Sequence, residues 1–121
     1  MIKLKDILEA IKIASKDNET MSIDILDDTN KKIGDFALET YDQKYWTIVG
    51  AQIDPTSRGK GYYYKSILEL LDKYPTMIIV SAFRSDEANR AWASLKKKVG
   101  TRYKIRSKVE DGEIVYYLSK N

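Results

Sequence analysis

The residues best suited to chemistry form one short segment, 54–61, with the sequence DPTSRGKG. Gly59 and Gly61 permit a tight turn and a close approach of the backbone to a ligand, and Arg58 and Lys60 add positive charge. The segment ends where an amphipathic helix is predicted to begin. Because the first N–H groups of a helix have no acceptor within the helix and carry partial positive charge, such a loop is suited to binding phosphate groups. The segment therefore indicates a ligand that carries phosphate.

The loop does not match two other phosphate-binding patterns. It has no G-x-x-x-x-G-K-[ST], which argues against a P-loop nucleotide hydrolase, and no complete G-x-G-x-x-G, which argues against a dinucleotide fold. What remains is Arg58-x-x-Gly61, with Pro55 three residues before the arginine and an apolar strand before that. This pattern resembles the acetyl-CoA pyrophosphate loop of the GNAT N-acetyltransferases, [R/Q]-x-x-G-x-[G/A], although Tyr63 stands at its last position.

A second segment, 89–100 with the sequence NRAWASLKKKVG, is similar to a later helix of the same family. In that family an Asn begins the helix and a Leu-Tyr-x-Lys-x-Gly pattern ends it. Here the Asn, the Leu, one Lys and the Gly fall at the family's spacing, and Lys96 replaces the tyrosine. Two motifs in the right order, separated by one further predicted strand, support the resemblance more strongly than either motif alone.

The resemblance implies a co-substrate, acetyl-CoA, bound where two neighbouring parallel strands diverge. Backbone amides of the loop would bind its pyrophosphate, the preceding strand would contact its pantetheine arm, and an amine would attack the thioester directly. Backbone N–H groups directed at the developing oxyanion would stabilise the transition state. The residues expected to bind acetyl-CoA are Ala51, Ile53, Arg58, Gly59, Lys60, Gly61, Tyr62, Tyr63 and Asn89.

Three residues are candidates for proton transfer in that reaction. Lys96 occupies the position of the tyrosine that often protonates the departing thiolate in the family, although a lysine with an ordinary pKa near 10 is a poor acid at neutral pH. Tyr103 is an alternative acid. Glu39 is the candidate base, with an ordered water chain as the alternative, because the strand before Asp54 contains no carboxylate.

Three functions are compatible with these residues. The favoured one is an acyl-CoA-dependent N-acyltransferase that transfers acetyl from acetyl-CoA to an unidentified amine, on a small molecule or a protein. The alternative is a catalytically degenerate relative that binds CoA or a macromolecular partner without turnover. A third reading uses the basic residues in 96–108 to bind nucleic acid, but a solvated helix end and an alternating strand face explain those charges more simply.

The composition is that of one soluble globular domain spanning residues 1–121. The chain has no cysteine, which excludes disulfides and thiol nucleophiles, and no histidine, the commonest metal ligand. No metal cofactor is therefore expected. No apolar run approaches the roughly 20 residues that span a bilayer, and the first residues lack the apolar core of a signal peptide. We therefore expect a cytoplasmic protein without a membrane partner.

Hydrophobic periodicity predicts the elements that position these residues. The spacing of Leu4, Ile7, Leu8 and Ile11 predicts an N-terminal helix, and Ser85 is a plausible cap for the last helix. The later elements are strands at Met21–Leu26, Lys32–Glu39 and Tyr45–Ile53, a helix at Tyr62–Lys73, a strand at Met77–Phe83, a helix with the stripe Ala88, Trp92, Leu95 and Val99, and a hairpin of Tyr103–Val109 and Ile114–Leu118.

The predicted fold class is α/β of GNAT type, with a mixed, mostly antiparallel central sheet and helices on both faces. The family usually has a first strand and two helices ahead of its second strand, and these help to form the acceptor pocket. Here the corresponding region is short, with one helix and at most a brief strand at Ile2–Leu4. A trimmed acceptor region predicts an open groove suited to a peptide, a protein or a bulky amine.

Overall fold

The computed structural model describes residues 10–82 and 86–121. Seven strands and two α-helices form the described part of the chain, and a short 3₁₀ turn, Pro55–Ser57, precedes the first helix. In chain order the elements are β1 (Ile11–Lys16), β2 (Thr20–Leu26), β3 (Lys32–Glu39), β4 (Tyr45–Ile53), α1 (Tyr62–Lys73), β5 (Ile78–Ser81), α2 (Asp86–Lys98), β6 (Tyr103–Glu110) and β7 (Glu113–Lys120).

The strands form one mixed sheet in the order β1-β2-β3-β4-β5-β7-β6. Every neighbouring pair is antiparallel except β4 and β5, which are parallel and are joined through α1. The mixed, mostly antiparallel sheet of the predicted fold class is therefore confirmed. A parallel pair needs a long crossover, and a helix is the usual one, which explains why α1 follows β4 directly.

The start of the chain differs from the sequence-based prediction. The predicted N-terminal helix, like the brief strand at 2–4, falls mainly on residues 1–9, outside the described residues, but Ile11 begins a strand. β1 pairs with β2 through Ile11↔Ile25 and Ile13↔Ile23. β1 lies at the edge of the sheet and buries only Ile11 fully, so its exposed second half shows no alternating pattern. Four strands, rather than three, therefore precede α1.

The connection between β1 and β2 consists of residues 17–19 alone. Its turn is closed by Asp17, whose Oδ1 accepts hydrogen bonds from the backbone N–H groups of Glu19 and Thr20, both at 2.8 Å. This turn leaves no room for helices between β1 and β2. The connection is therefore short, as expected for a trimmed acceptor region.

Both described helices pack on the same side of the sheet, which we call the helix face. Tyr63 of α1 contacts Phe36 edge to face, with ring centroids 6.0 Å apart, and Trp92 of α2 stacks on Tyr116 at 5.7 Å. Among residues 10–82 and 86–121, no helix covers the opposite side, which we call the open face, although the sequence predicted helices on both faces. The core on the helix face includes Ile11, Ile23, Ile25, Phe36, Leu38, Ile67, Leu70, Leu71, Ile79, Trp92 and Leu118.

Most other predicted bounds agree with the structure. The strands at Lys32–Glu39 and Tyr45–Ile53 and the helix at Tyr62–Lys73 begin and end as the sequence predicts. The strand expected at Met77–Phe83 is shorter, ending at Ser81, and Ser85 lies outside the described residues. Neither described helix is long and apolar enough to cross a membrane.

Candidate functional site

The two parallel strands diverge after three residue pairs. β4 and β5 pair as Tyr45↔Ile78, Trp46↔Ile79 and Thr47↔Val80. β4 then continues to Ile53, whereas β5 ends at Ser81. The β6–β7 hairpin on the far side of β5 extends past that end, so a gap opens between the second half of β4 and the hairpin.

A β-bulge in β4 accompanies the divergence. Ala37 pairs with Gly50 and Leu38 pairs with Ile48, so Val49 is an extra residue without its own partner in β3. Val49 is 53% exposed although it is apolar. Because a bulge bends its strand and increases the local twist, this one turns the second half of β4 away from β5.

The loop after β4 has the conformation that its glycines predict. Gly59 (φ 76°) and Gly61 (φ 81°) both adopt left-handed backbone angles, which side chains other than glycine rarely tolerate. Gly61 is the N-cap of α1, so no side chain caps this helix, and the first intrahelical bond runs from the Lys65 N–H to the Gly61 carbonyl at 3.1 Å. The helix start is therefore open to a ligand that accepts hydrogen bonds.

Arg58 ties this loop to the end of β4. Its Nε donates a hydrogen bond to the carbonyl oxygen of Ile53 at 3.2 Å, and the side chain remains exposed. The guanidinium group is thus held at the rim of the gap, next to the start of α1. In this position it can hold the loop and supply positive charge for an anion at the same time.

A second contact fixes the first turn of α1 from the other side. The hydroxyl of Tyr62 donates to Asp28 Oδ2 at 3.4 Å, and Lys65 Nζ lies 3.7 Å from Asp28 Oδ1. Partial burial, together with the nearby charge of Asp28, raises the pKa of Tyr62. The β2–β3 turn is in this way attached to the helix start, which holds the Tyr62 ring beside the loop.

One cavity of about 310 Å³ joins these features. Its walls are the end of β4, the glycine loop, the first turn of α1 and one side of α2. The volume falls within the range of small-ligand pockets. The cavity is lined by Ala51, Gln52, Ile53, Ser57, Arg58, Gly59, Gly61, Tyr62, Tyr63, Tyr64, Ala88 and Ala91.

All the residues expected to bind acetyl-CoA line this cavity except Lys60 and Asn89, which are exposed. Ala88 and Ala91 of α2 also line it and were not expected from sequence. They are small residues three positions apart, on the side of the helix adjacent to buried Trp92. Such spacing places them on one face, and their small side chains leave space for a ligand between the two helices.

The structure does not bring the three candidates for proton transfer together. Lys96 Nζ donates to Ser107 Oγ at 2.8 Å, on the helix face. The Tyr103 hydroxyl donates to Asp72 Oδ1 at 2.9 Å, near the C-terminus of α1 and about 15 Å along the helix axis from the glycine loop. Burial, reinforced by the bond to Asp72, raises the pKa of Tyr103.

Glu39, the candidate base, lies at the end of β3 and is exposed. Its partner in β4 is Thr47, the last residue of β4 that pairs with β5. Side chains of such partners point to the same face of a sheet. Glu39 and Thr47 are therefore on the open face, beside the point where the gap begins.

Comparison with known proteins gives matches to solved structures only, since neither a protein-family model nor a curated protein sequence matches the chain. An acetyltransferase of the GNAT family from Staphylococcus aureus aligns with a TM-score of 0.54 at 10% identity, over 83% of this chain and 67% of that one. The chain has the GNAT fold. A spermidine N-acetyltransferase from Vibrio cholerae, solved with CoA and spermine, aligns with a TM-score of 0.55 at 19% identity, over 84% of this chain and 64% of that one.

A third GNAT-fold match is an IAA acetyltransferase from Bacillus cereus, with a TM-score of 0.52 at 13% identity, over 85% of this chain and 79% of that one. The aligned part is thus 64% to 79% of the lengths of these three structures, so each of them contains residues without a counterpart here. At these identities the similarity establishes the architecture, and it confirms the fold that the loop and helix motifs predicted.

Proposed function

We propose that the protein is an acyl-CoA-dependent N-acyltransferase that transfers an acetyl group from acetyl-CoA to an amine. The observation that carries this proposal is a single cavity that joins the uncapped start of α1 to the diverging half of β4. The GNAT-fold neighbour solved with CoA and spermine supports the same type of reaction.

In this proposal acetyl-CoA binds on the helix face. The backbone N–H groups of the glycine loop and of the first turn of α1 bind the pyrophosphate, and Arg58 adds charge beside them. The pantetheine arm lies along β4 at Ala51 and Ile53, opposite the small side chains of Ala88 and Ala91. Beyond Thr47, the β5 side of β4 has no strand partner among the described residues, and this edge offers backbone groups to the amides of that arm.

The acceptor amine then approaches through the gap from the open face. Its neutral nitrogen attacks the thioester carbonyl, the carbon–nitrogen bond forms and the carbon–sulfur bond breaks. Glu39 or a water next to it accepts the one proton that the nitrogen loses, the amide keeps the other N–H, and the departing thiolate takes one proton from an acid of the protein or from water. Lys96 is the proposed donor, while Tyr103 is the weaker candidate because its hydroxyl is already donated to Asp72.

Binding of CoA without turnover is the second candidate function. Two contacts favour it: Lys96 is hydrogen-bonded to Ser107, and Tyr103 to Asp72, so each proposed acid is engaged elsewhere. An enzyme that relies on backbone electrostatics and water would tolerate both contacts. The two functions therefore differ in turnover and share cofactor binding.

Thiol release separates the two candidates. The purified protein is incubated with acetyl-CoA and a panel of amines that includes polyamines, amino acids and short peptides, while free CoA thiol is measured and the acceptor is examined by mass spectrometry. An acyltransferase releases thiol in step with acetylated product. Stabilisation by acetyl-CoA without thiol release for any amine would favour the binding function. The absence of both stabilisation and thiol release would contradict both functions.

A further inference from the structure

The open face carries a continuous row of partnered residues from the gap to the edge of the sheet. Thr47 pairs with Val80, Val80 with Tyr117, and Tyr117 with Arg106. Side chains of cross-strand partners share one face. Since Thr47 and Val80 are the last pair before β4 and β5 diverge, the row connects the proposed reaction site directly to β6.

Two tyrosine rings lie on the open face beside the paired part of β4 and β5. Tyr45 and Tyr117 contact each other edge to face, with ring centroids 6.3 Å apart. The Tyr117 hydroxyl donates to both carboxylate oxygens of Glu110, at 3.0 and 2.9 Å, which fixes the ring. Such amphipathic rings provide a rigid platform for a bound chain.

Positive charge lies on one side of this platform. Lys104, Arg106 and Lys108 alternate along β6, so all three point to the open face, and all three are exposed. Lys108 Nζ lies 5.5 Å from the centre of the Tyr117 ring. Glu110, which accepts the bonds from Tyr117, is the acidic member of this strand on the same face.

Negative charge lies on the other side of the gap. Glu39 on β3 is exposed beside Thr47. Two further carboxylates of this face, Asp24 and Asp35, lie 3.2 and 3.5 Å from Lys32 Nζ, and Lys12 is the cross-strand partner of Asp24, so two lysines offset their charge. On the open face Glu39 thus lies on one side of the gap and the three β6 cations on the other, while Glu110 and its cross-strand partner Glu113 lie together at the turn end of the hairpin.

This polarity matches an acceptor whose amine and anionic groups are separated by a defined distance. With strands about 4.8 Å apart, the middle of the gap is about 12 Å from the backbone of β6. An arginine or lysine side chain of β6 extends several ångströms from that backbone toward the gap. An anionic group bound at its end lies about 7–10 Å from the reacting nitrogen, which is the length of two to three residues of extended peptide.

We propose that the acceptor is an acidic peptide segment, in which carboxylates two to three residues from the reacting amine are bound by Arg106 and Lys108. This inference rests on the proposed acyltransferase function and names its substrate class. Within residues 10–82 and 86–121, the three-residue turn between β1 and β2 places no element over this face. The reaction is the one given above: the amine loses one proton to Glu39 or water, the amide keeps its N–H, and the CoA thiolate takes up one proton.

The test uses short peptides with a free N-terminal amine that differ only at the second to fourth positions, which carry Glu, Gln or Lys. Thiol release gives kcat/KM for each, and fluorescence anisotropy gives the affinity of each acetylated product peptide. The Glu peptide is expected to react and bind best and the Lys peptide worst. The advantage of the Glu peptide should shrink as salt is raised, because exposed charge pairs are screened.

Matched variants locate the effect. Arg106→Gln/Lys108→Gln should reduce kcat/KM for the Glu peptide roughly fivefold to tenfold, as expected for the loss of two exposed charge contacts, and leave the Gln peptide nearly unchanged. Lys97→Gln/Lys98→Gln removes the same charge from the last turn of α2 and should leave kcat/KM unchanged for both the Glu peptide and the Gln peptide. Equal affinity for the three product peptides, or equal effects of the two double variants, would overturn the proposal.

Three other outcomes are also decisive. A single-stranded oligonucleotide that binds through Arg106 and Lys108 more tightly than the Glu peptide would assign this face to nucleic acid and overturn the inference. If acetyl-CoA stabilises the protein and amines are acetylated without regard to neighbouring charge, the acidic-peptide inference fails while the acyltransferase function stands. Absence of both acetyl-CoA binding and turnover would instead reject the proposed function.

Discussion

The two ends of α1 are built in opposite ways. At its start, Gly61 caps the helix without a side chain, and a cavity of about 310 Å³ lies against the first turn. At its other end, Asp72 is surrounded by partners: the Tyr103 hydroxyl at 2.9 Å, Lys120 Nζ at 2.9 Å and Arg102 at 3.9 Å. The protein's own side chains surround the carboxylate at one end of α1, and no described side chain caps the other end.

We infer that the Asp72 end of α1 contributes to stability and that the glycine-loop end contributes to the proposed ligand binding. The Asp72 cluster joins α1 to β6 and β7, so its removal should weaken folding without changing the ligand site. Changes at the glycine loop should weaken ligand binding beyond any effect on folding. Substitutions at the two ends therefore test whether folding stability and ligand binding are separate.

The largest stability effect is expected at Gly34, which holds β3 against the end of β4 just before the loop. A Cβ atom there would lie 2.4 Å from the Gln52 carbonyl oxygen and 2.9 Å from the Ile53 Cα. Because both are backbone atoms, Gly34→Ala should destabilise the protein by about 3 kcal/mol. Gly50→Ala in β4 is the control, since no atom lies within 4 Å of its Cβ position. Equal midpoints of urea unfolding for the two variants would contradict this account.

The next effect is expected at the closed end of α1. Asp72→Asn should lower the free energy of unfolding by about 1.5 kcal/mol, the typical value for hydrogen bonds to a charged group. The affinity for acetyl-CoA, measured by calorimetry, should be unchanged. A matching loss of acetyl-CoA affinity would show that the two ends of α1 are not independent.

The same cluster predicts a pH dependence. Burial acts to raise the pKa of Asp72, but hydrogen bonds from Lys120 and Tyr103 outweigh it, so the pKa lies below the ordinary value. Its contribution to stability is therefore complete above the unfolded pKa of about 3.9 and is lost as the pH falls through the lower folded value. The difference in Tm between wild type and Asp72→Asn should be constant from neutral pH to about pH 5 and shrink below pH 4. A difference that grows on acidification would contradict the assignment.

The smallest stability effect is expected at Gly61. Its φ of 81° disfavours a side chain, so Gly61→Ala should cost about 1 kcal/mol. Gly112 in the β6–β7 turn has the same φ of 81°, and Gly112→Ala should cost a similar amount. Acetyl-CoA affinity should fall only in Gly61→Ala. If calorimetry gave the same affinity for both variants, the loop would not be the phosphate site.

Sequence reasoning predicted the central part of this fold because its signals are local. β3, β4 and α1 are bounded by turn residues and by a clear change of period, and the glycine loop carries its own conformational signature. β1 was missed because an edge strand with one buried residue shows no alternation. The fold class was predicted from the loop motif and the helix motif together rather than from either motif alone.

The rest of the site could not be predicted because it depends on contacts between distant residues. The bond from Lys96 to Ser107 and the bond from Tyr103 to Asp72 join elements far apart in the chain. The two alanines of α2 become recognisable as cavity residues only when α2 is placed beside α1. The polarity of the open face likewise appears only when the strand order is known.

The central claim is that the open start of α1 and the gap beside β4 bind acetyl-CoA. The most direct test is thermal unfolding with and without acetyl-CoA for wild type, Arg58→Glu and, as a control of equal charge change, Lys12→Glu on exposed β1. Ligand at 100 times its Kd should stabilise wild type and Lys12→Glu by about 2.7 kcal/mol, a Tm shift of several degrees, and Arg58→Glu far less. No shift in wild type at millimolar acetyl-CoA, or an equal shift in all three proteins, would contradict the claim.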